Sequence, residues 1–282
     1  MSKTFEVSYS GARLGAAASL LFAATVLPAA ANATDIVIGG TGAAIGTMEA
    51  LGAEYSRLHR GVTVKVLPSL GSGGGIKALM AGAASIAVVS RPLTEAERAK
   101  GAREVEIART PIVIATSPRN PVQNVTFADL AGLYSGKVAS WKDGTPVRPV
   151  LRAQDDIDTL VLKTMSPQIA TAVETAGKRE GMNIASTDTV SAEQLESIPG
   201  AFGTTSLSIL ATEKRALKAL SIEGVGPSVD ALANGKYRYA KTIWLVTKDK
   251  PTPEVDRFVK FARSSAAAKT LKQSGNLPLG EQ

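Results

Sequence analysis

The sequence predicts an α/β protein of two lobes, each a mostly parallel sheet flanked by helices. Two observations lead there. Strand, glycine-turn and helix units follow one another between residues 35 and 89, and successive units of this kind build a parallel sheet with helices over its faces. A further set of strands and helices with its own apolar residues then fills the middle of the chain, enough for a second core.

The β-branched run Asp35 to Ile38 leads into Gly39-Gly40-Thr41-Gly42, and Met48, Leu51, Tyr55 and Leu58 recur at helical spacing. Val62 to Leu67 alternates as a second strand, Gly71-Ser72-Gly73-Gly74-Gly75 reads as a second glycine turn, and Ile76 to Ala81 opens a second helix. Strand Ile86 to Val89 ends at Ser90-Arg91-Pro92. Thr110 to Thr116 is apolar enough for a fully buried strand, and Pro118, Asn120 and Pro121 then mark a crossing between lobes. Beyond it lie expected strands at Val147 to Leu151 and Ala201 to Thr205, and helices near Phe127 to Leu133, Asp156 to Met165 and Thr171 to Lys178. Tyr239 to Thr247 reads as a strand, and closing helices carrying Val255, Phe258, Val259, Phe261, Ala268, Leu271 and Leu277 return to the first lobe. The expected division is residues 34–112 plus 237–282 for lobe I and 113–236 for lobe II. Each is then a domain of ordinary size, ~125 residues.

Composition narrows the chemistry. The 282 residues are 44% apolar and 20% charged, with no cysteine and one histidine, His59. A disulfide framework, a thiol nucleophile, a thiolate metal site and a lipid-modified N-terminal cysteine are excluded. One histidine leaves no zinc cluster. No metal and no organic cofactor is expected. Lys3 and Arg13, an uncharged stretch from Leu14 to Ala33, and Ala31-Asn32-Ala33 at its end follow the layout of a secretory signal peptide over residues 1–33. An exported, periplasmic protein is therefore expected. From Thr34 onward 30 basic residues face 24 acidic ones. That excess favours small anions without choosing among them. The basic residues form no block, and aromatics are 5%, so nucleic acid is not an expected partner.

Strand ends at Thr41-Gly42-Ala43, at Ser72-Gly73-Gly74-Gly75 and at Ser90 present small donors. A helix N-terminus leaves N–H groups unpaired and carries about half a positive charge, so an oxyanion there needs no lysine. Glycine lets the backbone approach closely. The plainer role for Thr41 and Ser72 is as N-caps, each contributing about 1 kcal/mol to its helix. The stretch Gly71 to Ala78 lacks the Gly-Lys-Ser/Thr of a P-loop and has Ile76 where G-x-G-x-x-G needs its third glycine. No G-x-S-x-G occurs, and His59 is expected on a solvated helix surface. No enzyme is expected.

Gly71-Ser72-Gly73-Gly74-Gly75-Ile76-Lys77, Ser90-Arg91-Pro92-Leu93, Leu133-Tyr134-Ser135-Gly136-Lys137-Val138 with Trp141, Gly203-Thr204-Thr205-Ser206-Leu207, and Ser274-Gly275-Asn276-Leu277-Pro278-Leu279 occur in this order. The ordered set resembles the periplasmic phosphate-binding proteins of ABC-type importers, within the type II periplasmic binding fold, over nearly all of the chain from Thr34. The resemblance implies a monomeric receptor that holds a small oxyanion, phosphate first, between its lobes and delivers it to an inner-membrane ABC permease. Thr41, Gly42, Ala43, Ser72, Gly73 and Ser90 fall at first-lobe ligand positions, and Arg152 matches the second-lobe arginine, whose fork suits two phosphate oxygens. Ser90 stands where many members have an aspartate and others a serine. A salt bridge from Arg152 to Asp155 or Asp156 is the alternative to ligand contact.

One departure is informative. The family follows that arginine with a Ser-Gly-Thr loop, where this chain reads Arg152-Ala153-Gln154-Asp155-Asp156-Ile157-Asp158-Thr159. A carboxylate accepts hydrogen bonds and donates none, and ~4 Å from a phosphate oxygen it costs about 4 kcal/mol at intermediate dielectric. Either these acids cap a helix and face solvent, or the ligand carries a donor or cation as well as an anion. A periplasmic sensor or scaffold module that keeps the fold and binds anion weakly is the second functional expectation.

Overall fold

The computed structural model describes residues 4–8 and 34–280. Residues 4–8 are exposed and without regular structure; the leader expected over residues 1–33 otherwise lies outside the described residues. No helix among the described residues is long and apolar enough to cross a membrane.

From Thr34 the chain opens with β1 (Thr34–Gly40), a single 3-10 turn at Gly42–Ala44, α1 (Ile45–Leu58), β2 (Val62–Val66), α2 (Gly71–Met80), β3 (Ile86–Val89) and α3 (Glu95–Ala99). The long strand β4 (Ala102–Thr116) leads on to β5 (Asn124–Val125), α4 (Phe127–Ser135), β6 (Arg148–Arg152), α5 (Ile157–Met165), α6 (Pro167–Gly177), β7 (Asn183–Ala185), α7 (Asp188–Ser197) and β8 (Ala201–Ser206). Then come α8 (Leu207–Thr212), β9 (Lys218–Ala219), β10 (Ser221–Ile222), α9 (Val229–Ala233), β11 (Ala240–Lys248), α10 (Pro253–Arg263), α11 (Ser265–Gln273) and β12 (Leu277–Pro278).

One sheet runs in the order β2-β1-β3-β11-β4-β8-β6-β7. Its two ends are parallel: β1 pairs with β2 and β3 in one lobe, and β6 pairs with β7 and β8 in the other. The strands between them are antiparallel. β4 pairs with β11 as far as Pro111 and with β8 from Ile112 onward, so a single strand serves both lobes. The sequence revealed only its apolar end, because Arg103, Glu104, Glu106 and Arg109 interrupt the pattern where one face of β4 is open.

Each lobe has its own core. Ile36, Ile38, Met48, Leu51, Ile107 and Phe258 are among the fully buried residues of the first, and Ile114, Leu130, Ile169, Phe202 and Leu220 among those of the second. The closing helices α10 and α11 do return to the first lobe, where Val255, Phe258, Phe261 and Leu271 lie in one core with Met48 and Leu51. Leu277, however, is not on a helix: α11 ends at Gln273, and Leu277 pairs with Arg109 of β4 as part of β12.

Two local expectations are corrected. Residues Gly71 to Gly75 do not form a turn ahead of a helix but are the first turn of α2 itself. The physical reason is at Gly75, where a Cβ would stand 2.6 Å from Gly40 Cα and 2.7 Å from the Gly39 carbonyl oxygen: the helix starts early because only glycine lets it lie against β1. His59 is not a freely solvated helix residue; it ends α1, half-buried, with its ring 4.1 Å from that of Tyr55.

Candidate functional site

β1, α2 and β3 bring three hydroxyls from separate parts of the sequence to one place. Thr41 Oγ1 and Ser90 Oγ are 3.3 Å apart, Ser72 Oγ and Ser90 Oγ 3.4 Å, and the Ser90 N–H donates to Ser72 Oγ at 3.1 Å. Thr41 and Ser90 are buried and Ser72 is half-buried. The N-cap role is corrected by these contacts. Thr41 precedes the 3-10 turn but makes no side-chain cap bond, and α2 is preceded by Leu70, not capped by Ser72. Both hydroxyls turn to Ser90 instead of back at their own helices.

Gly42 and Ala43 are buried beside Thr41, where the second lobe reaches them: a Cβ on Gly42 would lie 2.5 Å from Thr189 Oγ1 and 2.9 Å from the Thr189 nitrogen. Ala43 O accepts a hydrogen bond from Ser208 at the start of α8. Gly73 is exposed with open space around it, one residue past the hydroxyl that joins the cluster.

Across the cleft, Arg152 at the end of β6 is 7% exposed. Its Nη2 lies 2.6 Å from Asp156 Oδ2 and 4.0 Å from Asp188 Oδ2, and its Nη1 donates to Ala185 O at 3.4 Å. The salt bridge to Asp156 is therefore formed. Asp156 also caps α5, accepting from the Asp158 N–H at 3.0 Å, as the sequence suggested for one of these acids.

Asp158 departs from that reading. It sits in the first turn of α5 but is fully buried and does not face solvent. Lys241 Nζ from β11 lies 2.6 Å from its Oδ1 and also reaches Asp188, while Asp158 Oδ2 has no hydrogen-bond partner among the described residues. Burial pushes the Asp158 carboxyl up to about 6 against the pull of Lys241, and the neighbouring Asp188 and Asp156 push the same way. Asp188 goes the other way. Burial would raise it, but Lys241 and Arg152, with hydrogen bonds from Lys241 and Thr41, hold it down at about 2. Lys241 is pushed upward, because its carboxylate neighbours outweigh the cost of burying an ammonium.

Asp188 and Lys241 are the site residues that sequence reasoning missed. Signals for both existed. Thr187 precedes Asp188 and accepts the Val190 N–H at 3.2 Å, an N-cap ahead of the Val190, Ala192 and Leu195 pattern. In β11 the period of two puts Lys241 on the same buried face as Ile243 and Leu245, and a lysine in that register is almost always paired.

Hydroxyls from one lobe thus meet, around Asp188, a buried guanidinium from the other lobe and an ammonium from β11, which defines a two-lobed α/β fold with a buried polar cluster where the lobes join. The chain belongs to the PBP superfamily, whose domain model matches residues 26–266. Among curated relatives, it is 23% identical to the phosphate-binding protein PstS of Borreliella burgdorferi, over 87% of this chain and 90% of that protein. It is 26% identical to the protein SphX of Synechococcus elongatus, over 94% and 83%. Among solved structures, a substrate-binding protein from Clostridium perfringens with bound phosphate has the same fold at a TM-score of 0.72 and 22% identity, covering 87% of this chain and all of that one. An ABC-type phosphate transport receptor from Vibrio cholerae shares the fold at a TM-score of 0.58 and 23% identity, with 87% of this chain covered.

Proposed function

We propose that this chain is an extracytoplasmic solute-binding protein that captures a small oxyanion, phosphate first, between its lobes and hands it to an ABC permease in the membrane. The observation that carries this reading is the convergence of Thr41, Ser72 and Ser90, from three separate strand and helix ends, on one point where Thr41 meets Asp188, whose Oδ2 lies 4.0 Å from the buried Arg152. Hydroxyls and a guanidinium are donors, and together they suit the acceptor-only surface of a tetrahedral oxyanion. Relatives named phosphate-binding protein and a fold neighbour carrying phosphate support the choice of anion.

In this reading lobe I is residues 34–112 with 237–282, and lobe II is 113–236. The first 33 residues direct export, and the mature protein acts as a monomer. No covalent step takes place. Ligand capture rests on hydrogen bonds that strengthen as closure excludes water. Calorimetric titration with phosphate and with sulfate tests it: saturable binding of phosphate, lost in Arg152→Ala, is the expected result, and no heat with either anion would overturn it.

A sensor or scaffold module is the second reading, and a specific observation favours it. Asp156, Asp158 and Asp188 outnumber Arg152 and Lys241 in the cleft, so with every group ionised the site carries one net negative charge. Binding of phosphate only at millimolar concentration would support this reading.

A further inference from the structure

A receptor that closes on a free anion presents donors that lack partners until the ligand arrives. Here the Thr41 hydroxyl and the Lys241 ammonium already have one, while Arg152 Nε has none among the described residues. The Thr41 hydroxyl donates to Asp188 Oδ2 at 3.0 Å, Lys241 donates to Asp188 Oδ1, and Arg152 Nη2 stands 4.0 Å from the same carboxylate. A carboxylate only accepts, so the Thr41 proton must point at Asp188. All three hydroxyls then donate in a single sense, Ser72 to Ser90 to Thr41 to Asp188, and the chain ends on a negative charge.

The placement is structural as well as electrostatic. Asp188 is the first residue of α7 in the second lobe, where the helix N-terminus favours a negative charge, and it is 3% exposed. The next residue, Thr189, packs against Gly42 of the first lobe more closely than a Cβ there would allow. The lobes therefore meet at the point where the carboxylate reaches across. Its depressed pKa agrees with this, because ionised Asp188 is what the surrounding cations and hydroxyls stabilise.

We propose that Asp188 is a tethered anion: its carboxylate occupies the donors that a free oxyanion would use, closes the two lobes without ligand, and sets the affinity by making every incoming anion displace it. The proposal rests on the oxyanion reading of the cleft for its ligand, but the closure it assigns to Asp188 is measurable with no ligand present. Free anion then binds only from the fraction of molecules in which Asp188 has swung out, so the apparent affinity is the intrinsic one reduced by that fraction. Lys241 keeps Asp158 as a partner when the Asp188 charge is removed, so Asp188→Asn does not strand the ammonium.

The test combines small-angle X-ray scattering of the anion-free protein with calorimetric titration of phosphate, on the wild type, Asp188→Asn and Thr41→Val. The wild type is expected to scatter as the closed particle without anion. Asp188→Asn is expected to scatter as a more open particle that closes on adding phosphate, and to bind phosphate at least tenfold more tightly. Thr41→Val breaks the same interlobe bond from the other side with all charges in place, and is expected to open the anion-free particle too, which covers the case in which Asp188→Asn does not fold. An open wild type, variants as closed as the wild type without anion, or phosphate binding by Asp188→Asn that is measurable but no tighter than that of the wild type would each overturn the proposal. If Asp188→Asn opens but no form binds phosphate, the tethered anion stands and the oxyanion reading falls.

Discussion

Lys241 is the residue on which the charged cleft depends. It is fully buried between Asp158 and Asp188, and removing it leaves two buried carboxyls with only Arg152 and the Thr41 hydroxyl to offset them. Lys241→Met is expected to destabilise the fold by about 3–5 kcal/mol, measured by urea unfolding. Replacing Asp158 by Leu in the same chain is expected to recover part of that loss, since an apolar pair of similar volume avoids the desolvation cost. A Lys241→Met protein as stable as the wild type would contradict the pairing.

Asp158 makes the pH dependence unusual. Lys241 from β11, Asp188 from α7, Arg152 from β6, Asp156 at the α5 cap and Tyr134 from α4 surround it. Its carboxyl titrates at about 6 in the fold and near ~3.9 when unfolded. A raised carboxyl contributes stability that is complete below the unfolded value and lost as pH rises through the folded one. Asp188, held at about 2, has the opposite sense, but its contribution is lost only as pH falls below about 4. The melting temperature is therefore expected to rise from pH 7 to pH 5, and the rise to vanish in Asp158→Asn. A fall over that interval in the wild type would contradict the buried carboxyl.

At the scale of elements, α2 is held in place by its glycines. Gly73, Gly74 and Gly75 in a first turn oppose helix formation by about 1 kcal/mol each relative to alanine. The close approach of Gly75 to Gly39 and Gly40 is what they make possible, and it sets Ser72 beside Ser90. Gly75→Ala is expected to cost about 1–3 kcal/mol by overpacking and to weaken anion binding by displacing Ser72. Unchanged unfolding and unchanged phosphate titration would contradict this placement. Thr41, Ser72 and Ser90 could be read from the sequence because each closes a local strand-and-glycine pattern. The true start of α2 could not, because the neighbour that requires it, β1, is a tertiary contact.

For the same reason the other half of the site was harder to see. Arg152 and its pairing to Asp156 lie four residues apart and were accessible, whereas Thr41 and Asp188 are 147 residues apart and meet only because α7 crosses to the first lobe. The acids after Arg152 looked like solvated first-turn residues because nothing local says that β11 sends a lysine beneath them. Alternation along β11 held that information. It had meaning only once the strand was known to lie between the two lobes.

In the whole molecule two cores share β4, and the lobes meet where Gly42 packs against α7. Gly42→Ala would push against the Thr189 side chain and backbone, a contact between lobes and not within a core. Its expected effect is an anion-free particle that scatters as open, with a melting temperature close to that of the wild type. A variant that stays closed would contradict the interface.

The central claim, that the cleft takes an oxyanion on the donors now engaged with Asp188, is tested most directly by a crystal structure grown in saturating phosphate. The expected result is a tetrahedral anion between Thr41, Ser72, Ser90 and Arg152, with the Asp188 carboxylate moved off Thr41. An unchanged Thr41 to Asp188 bond with no anion in the cleft at saturation would contradict it.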